Sequence, residues 1–120
     1  MSEELNKAVA ARNKANEKLN NARRAVDYWK NRMDRAEKMW KGLNSLALEL
    51  KRTGGKGQAD AMSERAVQEA AKYDSAQEKL KAASARLEHR REISTYWSRV
   101  VESIMYKRPR PKRPRRRPRK

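Results

Sequence analysis

Apolar side chains recur at alternating steps of three and four through the first half of this chain, from Leu5 and Ala8 through Arg12, Ala15, Leu19, Ala22, Val26, Trp29, Met33, Ala36, Trp40, Leu43 and Ala47 to Leu50, with Arg12 the one polar member. That period draws a single stripe along an α-helix, and a stripe sustained over so many turns requires a partner helix laid against it. Ser2 followed by Glu3 and Glu4 suits a helix start, with acidic groups near the positive end of the helix dipole. Asp34 with Lys38, and Glu37 with Lys41, are expected to pair on the wet faces.

The period breaks at Thr53-Gly54-Gly55-Lys56-Gly57. Three glycines in four residues would cost a continuous helix about 3 kcal/mol relative to alanine, so the chain is expected to turn there. A second stripe on the same template then runs through Ala59, Met62, Ala66, Glu69, Tyr73, Ala76, Leu80, Ala83, Leu87, Arg90, Ser94, Trp97, Val101 and Ile104. The expected organisation is a helical hairpin over 1–106 (helix 3–52, glycine turn 53–58, helix 59–106) followed by a disordered Arg/Pro-rich tail, 107–120. At 1.5 Å per residue each arm would be roughly 70 Å long.

Folding the chain back at Gly54-Gly55 sets Ala8 against Val101, Ala22 against Leu87, Val26 against Ala83, Met33 against Ala76, Leu43 against Ala66 and Leu50 against Ala59. Small faces large, which lets layers interdigitate and the backbones approach closely. The fold class predicted is therefore all-α, an antiparallel two-helix coiled-coil hairpin. Polar residues enter the seam where Arg12 faces Trp97, Arg90 faces Leu19, Ser94 faces Ala15 and Glu69 faces Trp40. The Arg12 stem is expected to lie on the Trp97 ring, and local shifts to bring Ala70 in for Glu69 and Ile93 for Ser94. Val9, Ile93, Tyr96, Val100, Met105, Met39 and Leu46 remain beside the seam, more apolar surface than two helices cover. Dimerisation to a four-helix bundle is the expected remedy, with a heterologous protein partner on the hairpin as the alternative.

The segment Lys107–Lys120 is of another kind. Ten of the 32 Lys and Arg of the chain fall in these fourteen residues, together with all four prolines and no acid; the remaining 22 stand against 15 Asp and Glu, so the body is basic too. Like charges repel, no apolar side chain is present to bury, and proline removes helix donors, so the segment is expected to extend into solvent until a polyanion binds it. Guanidinium groups make bidentate hydrogen bonds to phosphate, and proline-stiffened polyproline II spreads them along a strand. The phosphate-contacting residues predicted are Lys107, Arg108, Arg110, Lys112, Arg113, Arg115, Arg116, Arg117, Arg119 and Lys120. With no Asn, Gln or aromatic side chain to read base edges, binding is expected to be independent of sequence. Arg23, Arg24, Arg32, Arg35, Arg86, Arg90 and Arg91 are solvated helix-face positions that extend this footprint at most as an addition.

Other chemistries find no support. There is no cysteine, His89 lies off the seam without a metal-ligand partner, and carboxylates are scattered among lysines and arginines where nothing would perturb them. Thr53-Gly54-Gly55-Lys56-Gly57 lacks the spacing and the following Ser or Thr of a phosphate loop. No catalytic residue, metal or cofactor is expected, and the chain is read as a non-enzyme. No apolar run is long enough for a membrane span and Met1–Ala8 has no signal pattern, so the expectation is a protein that stays inside the cell or virion with nucleic acid and does not engage membranes.

Trp40-Lys41-Gly42 resembles the Trp-x-Gly signature of small type VII secretion substrates, which are helical hairpins with that motif in the turn. Here the apolar period runs through the motif to Leu50, placing it inside a helix. The Arg-rich tail on a helical body resembles viral and phage genome-packaging proteins, a likeness that implies compaction of nucleic acid. The leading expectation is a sequence-nonspecific protein that binds, compacts or packages DNA or RNA as a homodimer. The alternative is a helical interaction module, an inhibitor or assembly adaptor, whose tail serves localisation or nuclear import.

Overall fold

The computed structural model describes residues 2–114; Arg115, Arg116, Arg117, Arg119 and Lys120 lie outside them. Two α-helices, α1 (Glu3–Arg52) and α2 (Lys56–Met105), pack against each other as a helical hairpin, and the described residues contain no strand. The chain divides into two compact units, one of Met1–Arg24 with Ser84–Lys120 and one of Ala25–Ala83.

The helix ends follow from backbone accounting. Helix α1 begins where the Ser2 hydroxyl accepts the Leu5 N–H (3.2 Å) and the Ser2 carbonyl accepts that of Asn6 (3.2 Å), so Ser2 caps donors that have no partner within the helix. It stops in a Schellman turn, in which the Gly54 N–H reaches the Lys51 carbonyl (3.4 Å) and the Gly55 N–H the Leu50 carbonyl (2.8 Å). Gly54 sits there at φ +83°, a left-handed conformation that glycine adopts without a steric cost. The Gly55 carbonyl at once accepts the Ala59 N–H at 2.8 Å. Helix α2 therefore begins at Lys56, with Gly57 in its first turn, not at residue 59 after a longer turn. Packing resumes at once with the fully buried Ala59, which offsets the low helix propensity of one glycine.

Every position of both stripes, Leu5 to Leu50 and Ala59 to Ile104, is buried or half-buried. The polar members stay in place. Ser94 is buried and donates its hydroxyl to Asn16 Oδ1 across the two helices, so the expected exchange for Ile93 does not occur. A hydrogen-bonded hydroxyl removes the penalty that favoured the exchange. Glu69 is half-buried beside a half-buried Ala70, its carboxylate 3.1 Å from Lys72 Nζ. Arg12 is half-buried, but it is not among the described cations seated over rings.

In the unit that holds the start of α1 and the end of α2, Ala8, Val100 and Val101 form a core against which Leu5, Val9, Tyr96, Trp97 and Ile104 pack. Val100, placed beside the seam by its spacing, is 2% exposed. The small Ala8 lets α2 present a stripe wide enough to include both valines and the Tyr96-Trp97 edge-to-face pair, whose centroids are 5.1 Å apart. Much of the apolar surplus expected here is thus covered by the hairpin itself. The other unit is built on Ala36, Leu43, Ala47, Ala59, Ala66, Ala76 and Ala83, all buried, and it leaves Met39, Leu46, Leu48 and Val67 exposed. Trp40 and Gly42 lie within α1. Lys41 Nζ donates to the Glu37 carboxylate at 2.7 Å; that hydrogen bond, with the charge attraction behind it, raises the Lys41 pKa above its ordinary 10.5. The Asp34 and Lys38 side chains form no such pair among the described residues. No helix there is long and apolar enough to cross a membrane.

Candidate nucleic-acid interface

The start of the basic segment is set by how α2 ends. Pro109 has no N–H and disfavours helical backbone at Arg108, so the helix cannot run on. It closes at Met105 in a second Schellman-type turn, with the Arg108 N–H on the Ser103 carbonyl at 2.8 Å and Lys107 at φ +53°. A lysine there carries the cost that glycine avoids at position 54, about 1–2 kcal/mol. The turn reverses the chain, so that Pro109–Pro114 lie beside α2.

The contacts of this stretch are specific. Arg110 Nη2 donates to Glu4 Oε1 on the first turn of α1. The Arg108 guanidinium stands 5.4 Å from the centroid of the exposed Tyr106 ring. Pro111 and Lys112 border a recess of about 400 Å³ with Glu88, Arg91, Thr95 and Arg99. Arg113 and Pro114 border another, of about 530 Å³, with His89, Ile93, Tyr96 and Trp97. Pro111 and Pro114 are half-buried, whereas Lys107, Arg108, Arg110, Lys112 and Arg113 are exposed. Pro111 and Pro114 share these recesses with Tyr96 and Trp97, while the cations keep their exposure. This part of the tail is therefore laid on the body, where composition alone predicted extension into solvent. Tyr96 and Trp97 offered the signal, since proline packs well against aromatic faces.

Electrostatically the arrangement is loosely held. The Glu4–Arg110 pair is exposed on both sides, and such pairs contribute about 0–1 kcal/mol. Phosphate competes well for a guanidinium so weakly engaged, because it accepts a bidentate pair of charge-assisted bonds. Glu88 and Glu92 border the same recess as Arg91, Arg99 and Lys112, so acids and cations are mixed on that face. Of the body arginines, Arg23, Arg24, Arg32, Arg35, Arg86 and Arg91 are exposed and Arg90 is half-buried. Among the described residues there is no group of three or more His, Cys, Asp or Glu side chains arranged to hold a metal ion.

The chain matches no known family model, no curated protein and no solved structure.

Proposed function

We propose that this protein binds nucleic acid without sequence preference and compacts or packages it, the hairpin serving assembly and the basic segment contacting phosphates. One observation carries the reading: ten Lys and Arg within residues 107–120, with proline between them and no acid. A segment of that composition gains little from the protein's own core and much from releasing the counterions of a polyphosphate. The exposure of Lys107, Arg108, Arg110, Lys112 and Arg113 agrees with it, as does the weak hold of Glu4 on Arg110. Phosphate contacts at this density leave base edges unread, so DNA and RNA of any sequence serve as ligand.

Assembly is by homodimerisation in this reading. Met39 and Leu46, 47% and 46% exposed, lie with Leu48 and Val67 on the unit Ala25–Ala83, and apolar side chains left in water favour a second copy. Two copies bring two basic segments to one polymer, which turns binding into bridging and so into compaction. The protein then resides wherever that polymer is packed, in a nucleoid, nucleus or virion.

The test is titration of unrelated DNA and RNA oligonucleotides with the full chain and with a chain truncated after Tyr106. Similar affinities across sequences, reduced at least tenfold by truncation, support the proposal. Weak binding that truncation leaves unchanged refutes it and favours an interaction module with a localisation tail.

A further inference from the structure

We infer that the unit Ala25–Ala83 carries a second phosphate site, a groove between α1 and α2 that grips the backbone of a nucleic-acid strand. The inference rests on the nucleic-acid reading above and adds to it a place on the helical body, in the unit that does not contain the basic segment. Its floor is made by Ala36 and Ala76, 5% and 4% exposed, whose small side chains leave a groove of about 450 Å³ between the flanking rows. Arg32 and Arg35 border it from α1, Lys72 and Lys79 from α2. Lys72, Ser75 and Lys79 are spaced three and four residues apart, which puts both ammonium groups and a hydroxyl on one face of α2.

The charge is nearly all of one sign. Glu69 is the one acid bordering the groove, and its carboxylate is taken by Lys72 at 3.1 Å. Among the described residues no carboxylate lies within ion-pair distance of Arg32, Arg35 or Lys79. Two of these cations share the ring of Trp29. Lys79 Nζ stands 4.8 Å from the centroid of Trp29, and Arg32 Cζ, from the other helix, stands 5.8 Å from it. Arg32 is braced again by Tyr28, whose hydroxyl accepts its Nη1–H at 2.6 Å, leaving the other guanidinium donors for an outside acceptor. Ring attraction thus sets like charges side by side at a concave surface, where they repel until an anion enters. The cations are ordered beforehand, which lowers the entropy cost of binding.

The occupant is the phosphodiester backbone of a strand. The groove borders run from Trp29 to Met39 and from Glu69 to Lys79, about 15 Å of helix on each side. That length takes a few consecutive phosphates of one strand, with four cations, Arg32, Arg35, Lys72 and Lys79, to receive them. Trp29 is engaged by Lys79 and Arg32, so the ring orders cations and is not a platform for bases. The site is accordingly indifferent to sequence, like the basic segment.

Two measurements on the full-length chain test this. In a ¹H–¹⁵N spectrum titrated with oligothymidylate at low salt, the indole N–H of Trp29 should shift while that of Trp40 stays. In binding titrations across a salt series, replacing Arg32, Arg35 and Lys79 together by glutamine should lessen the slope of log K against log salt by about 2, at about 0.7 per phosphate. If the unaltered chain binds the oligonucleotide but the Trp29 signal does not move, the groove is refuted and the basic segment stands alone. If the triple variant keeps the full slope, the same conclusion follows. Loss of helicity in the triple variant leaves the Trp29 shift of the unaltered chain to decide. If the unaltered chain binds no nucleic acid, the broader proposal fails and this inference with it. Equal Trp29 shifts with phosphatidylglycerol vesicles or polyglutamate, at the same charge concentration, would overturn the assignment to a strand.

Discussion

The close approach of the two helices is most exposed to test at Ala59. It is fully buried, it is the first seam position after the turn, and its N–H is bonded to the Gly55 carbonyl at 2.8 Å. One turn earlier, Leu50 Cδ2 lies 3.6 Å from where a β-carbon on Gly55 would sit, an ordinary packing distance. Ala59→Leu inserts three carbon atoms into this layer. In water those atoms would favour burial, but a fully buried alanine in a close helix seam accepts them only by separating the helices or forcing a poor rotamer, at about 1–3 kcal/mol. Ala61→Leu is the control: the position is exposed two residues on, and the same change there should fall within about 0.5 kcal/mol. In urea, with slopes of about 1–3 kcal/mol per M for a protein of this size, the two variants should differ in midpoint by about 1 M. Circular dichroism at 222 nm reads the transition directly, because nearly all the structure is helix. Midpoints for A59L and A61L that coincide would refute the claim that alanine at this seam sets the helix spacing.

Four further outcomes are expected. Gly54→Ala should destabilise by about 1–2 kcal/mol and Lys107→Gly should stabilise by about 1 kcal/mol, since both residues hold left-handed turns; paired thermal melts give both signs at once. Val101→Asp should abolish or severely weaken folding, because a residue 3% exposed gives a carboxylate neither water nor a partner; helicity at neutral pH, with partial recovery under acid as the carboxylate protonates, is the readout. Ser94→Ala should cost only about 0.5–1.5 kcal/mol in urea melts, because Asn16 is exposed and regains a water when the hydroxyl is removed.

Much of the fold was legible because one physical demand repeats along the chain. A stripe of period three and four needs a partner helix along its length, and each member from Leu5 to Leu50 and from Ala59 to Ile104 is buried or half-buried. The departures arise where a local rule met a stronger nonlocal one. Ser94 reads as a defect in an apolar seam until Asn16 is seen across the helix pair. Val100 reads as surplus until the small Ala8 admits a wider stripe. Gly57 reads as turn, yet the packing at Ala59 draws it into α2.

The candidate interface was legible only in composition. Ten cations announce an appetite for phosphate, but they do not reveal that Pro109 and a left-handed Lys107 turn the chain back along α2. Nor does sequence spacing show that Arg32 and Lys79, far apart in the chain, converge on Trp29. Such groupings depend on the register between helices, which single-helix patterns do not encode.

The measurement that bears most directly on the central claim is the salt dependence of nucleic-acid affinity, determined for the full chain and for a chain lacking residues 107–120. With all ten basic groups of that segment on duplex phosphates, the full chain should have a slope steeper by about 9 than the truncated one, and proportionately less if fewer engage. The account predicts a difference of several units, the same for DNA of unrelated sequence. Equal slopes and equal affinities for the two chains would contradict it.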